Sequence, residues 1–186
     1  MRPDDDLEEI KHASSASSSR ISTEIVVADT SPLNYLVQID CDYLLPLLYR
    51  RVIVPPIVVA ELINSGAPPI VARWAAQPPI WLEVLSIGTR PDEKLCQLDA
   101  GERDAIQLAI ELHAPNLLID ELKGRREARS RGLSIVGTLG VLISGERARV
   151  VDAHNAFERL MMQTNFRITP QLRHSFLEFL RTPIGP

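Results

Sequence analysis

Short runs of strand-forming residues alternate along the chain with segments whose apolar positions recur at helical spacing. Residues 25–29, 52–54, 82–86, 116–120 and 133–136 predict strands. Helical patterns fall at 31–39, 43–49, 56–65, 69–76, 100–113, 122–131 and 138–146, and two more, 152–163 and 170–181, close the chain. Apolar strands separated by helices imply βαβ units and a parallel sheet covered on both faces. The 14 prolines sit mainly at helix starts or in loops such as "GAPP" and "AQPPI", and no internal repeat is present.

The opening segment breaks this pattern. "MRPDDDLEEIKHASSASSSR" holds an acidic block and then a Ser/Ala-rich stretch without apolar periodicity. It predicts a disordered tail over residues 1–22 and a single domain over 23–182. The tail lacks the cationic start and apolar centre of a signal peptide. A chain of 186 residues that is 45% hydrophobic suits one domain with a real core. No run of 18 apolar residues exists, so no membrane span is expected. Cys41 and Cys96 are too few for a disulfide framework, and the cytoplasm is the expected compartment.

Two of the predicted strands end in acid. "IVVAD" closes on Asp29 and "NLLIDE" on Asp120 and Glu121, and a helix follows each. Aspartate is depleted from strands, so its place there needs a reason. One reason is capping, with Thr30 or Ser31 as N-cap and Pro32 at the first helical position, and Asp120 starting the later helix. The other is chemistry, because ligands of open parallel sheets bind outside the carboxyl ends of the strands. If the first strand of the second half lies beside strand 1, Asp29 and Asp120 flank the topological switch point.

Two helices carry further acids. In "PPIVVAELINSG", Glu61 follows Val58 by three residues and Ile57 by four, which places it with apolar neighbours or at the edge of their stripe. In "LDAGERDAIQLAIELH", about 100° per residue puts Glu102 on the face of Ala105, Ile106, Ala109 and Leu112, while Asp104 points away with Gln107 and Glu111. Asp99 and Glu102 are also spaced like a capping box. Four acids at one edge would repel one another and raise each other's pKa values. Divalent cations relieve that repulsion, and hard oxygen ligands suit Mg²⁺ or Mn²⁺. Two such ions about 3.5–4 Å apart would serve phosphodiester cleavage. Zinc fits poorly, since His12, His113, His154 and His174 show no ligand spacing.

Net charge is −4, against a generally basic nucleic-acid coat, yet "KGRREARSR" sets Lys123, Arg125, Arg126, Arg129 and Arg131 against Glu127 alone. Such a run is either a solvated helix face or a local phosphate-binding patch.

The series "VADTSPL", "VPPIVVAEL", "LDAGERDAIQLA", "LLIDELKGRREA" and "GLSIVGTLGVL" resembles PIN-domain proteins. Among them it is most similar to a prokaryotic subgroup related to VapC-type toxins, in which a GE pair replaces the usual third Asp. "NFRITPQL" resembles that subgroup's tail, and the match runs from about residue 25 to 181. The resemblance implies a three-layer α/β/α fold with a central parallel five-stranded sheet. It implies a metal-dependent ribonuclease centred on Asp29, Glu61, Glu102 and Asp120, with Glu121 auxiliary and Mg²⁺ or Mn²⁺ as cofactor. Thr30 or Ser31 would position a metal-bound water. Lys123, Arg125 and Arg126 would meet RNA phosphates, and Arg129 and Arg131 would be solvated. A toxin-like role, a small antitoxin partner and a homodimer are also implied.

Two other aspartate-based centres do not fit. A haloacid dehalogenase-type phosphohydrolase needs a second Asp where this chain has Ser31, and a receiver domain's acidic pair, phosphoacceptor and late Lys are absent. The competing reading is a PIN-like fold kept as a binding or regulatory module.

Overall fold

A computed structural model describes residues 22–182, with side chains from residue 25. The acidic and Ser/Ala-rich segment 1–20, with His12, lies outside the described residues. In chain order the elements are β1 (Ser22–Ala28), α1 (Thr30–Gln38), α2 (Leu44–Leu48), β2 (Tyr49–Val54), α3 (Pro56–Ile63), α4 (Pro69–Ala76) and β3 (Leu82–Val84). A 3₁₀ turn (Leu95–Gln97) precedes α5 (Ala100–Glu111), β4 (Asn116–Leu118), α6 (Leu122–Ser130), β5 (Ser134–Val136), α7 (Thr138–Arg147), α8 (Ala153–Gln163) and α9 (Pro170–Arg181). β1 begins at Ser22, inside the segment expected to be tail, and β3 and β4 each stop two residues short of the expected end.

The five strands form one parallel sheet in the order β3-β2-β1-β4-β5. The chain winds outward from β1 to β3, then returns to lay β4 against the free side of β1. Val27 pairs with Leu117, and Ala28 with Leu118. The switch point therefore falls between the ends of β1 and β4, where the strand-end acids are.

Alternation along the strands divides the core into two layers. Val26, Ala28, Val52, Val54 and Leu118 face one way, toward Leu33 and Leu36 of α1, Leu142 of α7 and Phe157 of α8. Val27, Ile53, Leu117 and Ile119 face the other way, toward Ala105, Ile106 and Ala109 of α5 and Ala128 of α6. Both faces of the sheet are thus covered, which gives the expected three-layer α/β/α arrangement. Phe157 stacks on Phe176 of α9 at 4.8 Å between ring centroids, which fixes the last helix to the same layer. Each fully buried side chain of this size contributes about 1.5–3 kcal/mol.

Local chemistry starts the helices where the sequence predicts. Proline occupies the first turn of α3, α4 and α9, where its missing N–H costs nothing. Asp152 caps α8 through the Asn155 N–H at 2.9 Å, and Thr169 caps α9 through that of Leu172 at 3.2 Å. Among the described residues no helix is long and apolar enough to cross a membrane.

Candidate active site

Asp29 extends the ladder between β1 and β4 by one residue, its N–H donating to Leu118 O at 2.9 Å. It holds the N-cap position of α1, but its carboxylate makes no capping hydrogen bond. The side chain is only 2% exposed. Burial lifts its pKa from 3.8 to about 7; the Thr30 amide opposes this, and the charges of Glu102, Glu61 and Asp120 add to it. Capping does not account for such a residue. All four acids converge on the carboxyl end of the sheet, within electrostatic reach of Asp29.

Glu61 comes from α3 and is half-buried. Its Oε1 accepts from the Gly101 N–H at 3.0 Å, and its Oε2 accepts the Thr30 hydroxyl. Gly101 is what allows this approach. A Cβ there would stand 2.5 Å from Glu61 Oε2, 2.9 Å from Asp29 Oδ1 and 3.0 Å from Thr30 Oγ1. Sequence reasoning passed over Gly101 as a site residue, although it is the first member of the GE pair. Ser31, beside Thr30, makes no side-chain hydrogen bond among the described residues.

Glu102 lies on the inner face of α5 with Ala105, Ile106 and Ala109, at 5% exposure. Asp104 points away and pairs with Arg103 at 2.7 Å. The helical phase read from the sequence is therefore correct. Asp99 is the N-cap but makes no side-chain cap bond, so the reciprocal capping box does not form. Burial raises the Glu102 pKa, and the neighbouring Glu121 charge raises it further, while the Asp99 and Gly124 amides hold it down. Its Oε1 is buried without a hydrogen-bond partner. Gly124 in α6 makes room for that oxygen, because a Cβ there would lie 2.6 Å from it.

Asp120 does not start α6; Glu121, which is exposed, holds that N-cap. Asp120 instead reaches the first residue of α7. Its Oδ1 accepts the Thr138 N–H at 2.8 Å and its Oδ2 accepts the Thr138 hydroxyl at 2.6 Å. The phenol of Tyr35 lies close by, its pKa raised by burial and by the charges of Asp120 and Glu121.

The basic stretch divides differently from expectation. Arg125, expected on the surface, is 5% exposed because it shares the inner face of α6 with Gly124 and Ala128. Lys123 donates to Gln97 O, which ties it to the loop before α5. Arg126 is exposed. Arg131, expected to be solvated, bridges Asp92 at 2.8 Å and Glu127 at 2.6 Å. Arg129 is half-buried as well.

The donor set suits a hard divalent cation in chemistry: carboxylate and hydroxyl oxygens, a buried oxygen of Glu102 with no partner and Gly124 beside it, and Gly101 beside the oxygens of Asp29, Thr30 and Glu61. Among the described residues no three acids, histidines or cysteines are already arranged to hold one ion. Glu61 has turned both oxygens to Thr30 and Gly101, and Asp120 both of its own to Thr138. A protein donor addresses each of these oxygens, which fixes the two carboxylates in place.

Residues 25–182 match the family model described as DUF3368: PIN domain. No curated protein matches the chain. A PilT N-terminus domain protein from the hyperthermophilic archaeon Sulfolobus solfataricus P2 is similar in structure, at 17% identity and a TM-score of 0.44. That similarity covers 69% of this chain and 94% of the archaeal one.

Proposed function

Because the chain belongs to the PIN-domain family, a nuclease-type fold whose members typically use divalent metals, we propose that it is a metal-dependent ribonuclease. One observation carries this reading. Asp29, almost fully buried and with its pKa raised to about 7, lies within electrostatic reach of three further acids, each of which raises it. Burying and crowding carboxylates in this way destabilises a fold, and a bound cation or proton relieves that cost.

Asp29, Glu61, Glu102 and Asp120 would hold Mg²⁺ or Mn²⁺, with Glu121 at the rim. Bound there, the cation would supply Lewis acidity to an attacking water and to the leaving oxygen. The chain's own groups prepare the site. Thr30 orients Glu61 through its hydroxyl, and Gly101 holds the other Glu61 oxygen. Ile119 and the first turn of α6 wall off the Glu102 side, keeping water from that carboxylate. Arg126, exposed just beyond Asp120 and Glu121, would meet an RNA phosphate. The motif resemblance extends the proposal to a toxin-like component with a small antitoxin partner and a homodimeric state.

The test uses the full chain on mixed RNAs with Mg²⁺, Mn²⁺ or EDTA. Cleavage is expected with either cation and lost in EDTA. Glu102→Gln should abolish it, and Asp104→Asn should cleave like the parent. Equal cleavage by all three proteins would remove Glu102 from the site. No cleavage by the parent under any condition would leave the binding-module reading in place.

A further inference from the structure

Thr138 occupies the first position of α7 and is fully buried. It follows Gly137, whose residue type provides no capping side chain. The cap comes instead from another element: Asp120, just past the end of β4, turns its carboxylate to the start of α7. The Thr138 N–H reaches Oδ1 at 2.8 Å, which satisfies one backbone donor of the helix. Capping explains that bond. It does not explain the second one, from the Thr138 hydroxyl to Oδ2 at 2.6 Å, because a hydroxyl is not a backbone group that a cap must satisfy.

The second bond acts on Asp120. Two donors from a single residue address both oxygens of one carboxylate, so the carboxylate plane is held as well as its position. A carboxylate has about four lone-pair sites, and the two Thr138 bonds address one on each oxygen. The Asp120 charge is felt by the buried Asp29 carboxyl across the switch point. We propose that Thr138 is a positioning residue of the acidic site, its hydroxyl fixing the orientation from which Asp120 serves a divalent cation. This rests on the metal-dependent reading above. Groups that orient a metal ligand through its outer oxygen or nitrogen typically account for about 10- to 100-fold in metal affinity.

The experiment is Mn²⁺ titration of the full chain by calorimetry, with melting temperature in EDTA recorded beside it. Thr138→Val keeps the shape and the backbone N–H but removes the hydroxyl. Thr138→Ser restores the hydroxyl, and Asp120→Asn is the control for loss of the ligand itself. The expected result is Mn²⁺ affinity about 10- to 100-fold weaker in the Val variant, with the Ser variant close to the parent. A purely structural role would lower the melting temperature in EDTA but leave the Mn²⁺ affinity of the folded protein unchanged. Parent-like affinity in Thr138→Val beside loss in Asp120→Asn would overturn the proposal, as would a Ser variant no better than Val. If Thr138→Val does not fold, Thr138→Ala takes its place under the same criteria. A parent that takes up no Mn²⁺ would overturn the metal-dependent reading and this proposal with it, a result distinct from the others.

Discussion

Asp29 concentrates the conflict between stability and chemistry in one side chain. Its folded pKa of about 7 lies above the unfolded value of 3.8, so the folded protein binds the proton more tightly. The stability it contributes is present in full below about pH 4 and is lost as pH rises through about 7. A change of that size corresponds to about 4 kcal/mol. In EDTA, Asp29→Asn should therefore melt higher than the parent at pH 8, and the gain should shrink toward pH 4. A melting difference that does not vary with pH would show that Asp29 is ionised throughout and that burial does not govern it. Asp29 was legible from sequence because an acid closing an apolar strand is out of place by residue type. Gly101 was not: a glycine at the start of a helix says nothing of three oxygens that arrive from Asp29, Thr30 and Glu61 to fill the space of its Cβ.

Helix phase separates what could be read at the scale of an element from what could not. α5 has a clear apolar stripe in Ala105, Ile106 and Ala109, and that stripe places Glu102 inward and Asp104 outward. α6 is strongly polar and offers only Gly124 and Ala128 as inward markers, so the basic run does not reveal which arginines turn inside. Packing decides, and it buries Arg125 while leaving Arg126 exposed. The two neighbours should behave differently when replaced by Gln. Arg126→Gln should flatten the salt dependence of RNA binding by about 0.7 in log–log slope, the share of one single-strand phosphate contact. Arg125→Gln should leave that slope alone and cost about 1–3 kcal/mol of stability, the usual penalty for removing a charged donor from a buried pairing. Reversed outcomes would mean that α6 rotates when RNA binds. The clasp between Asp120 and Thr138 was likewise invisible in sequence, since it depends on β4 and β5 being neighbours.

At the scale of the whole molecule, the acids tie together parts of the chain that share no local structure. Asp29 directly follows β1, Glu61 belongs to α3, Glu102 to α5, and Asp120 lies beyond β4. The alternation of strands and helices made the parallel sheet legible, and the strand-end acids pointed to its carboxyl edge. The convergence of all four depends on the strand order, which puts β4 beside β1. A cation that binds this folded arrangement, and not the unfolded chain, stabilises the protein as a unit. At 100 times its dissociation constant the gain is about 2.7 kcal/mol. For a chain of this size each kcal/mol corresponds to about 2–4 °C, so the parent should melt about 5–10 °C higher in saturating Mn²⁺ at pH 8. The rise should diminish at pH 5, because Asp29 then holds a proton that the cation must displace. It should be absent in Asp29→Asn at either pH. Scanning calorimetry of the two proteins with Mn²⁺ and with EDTA checks each of these signs. An equal rise in both would place the cation elsewhere on the acidic surface, and the four carboxylates would have to be explained without it.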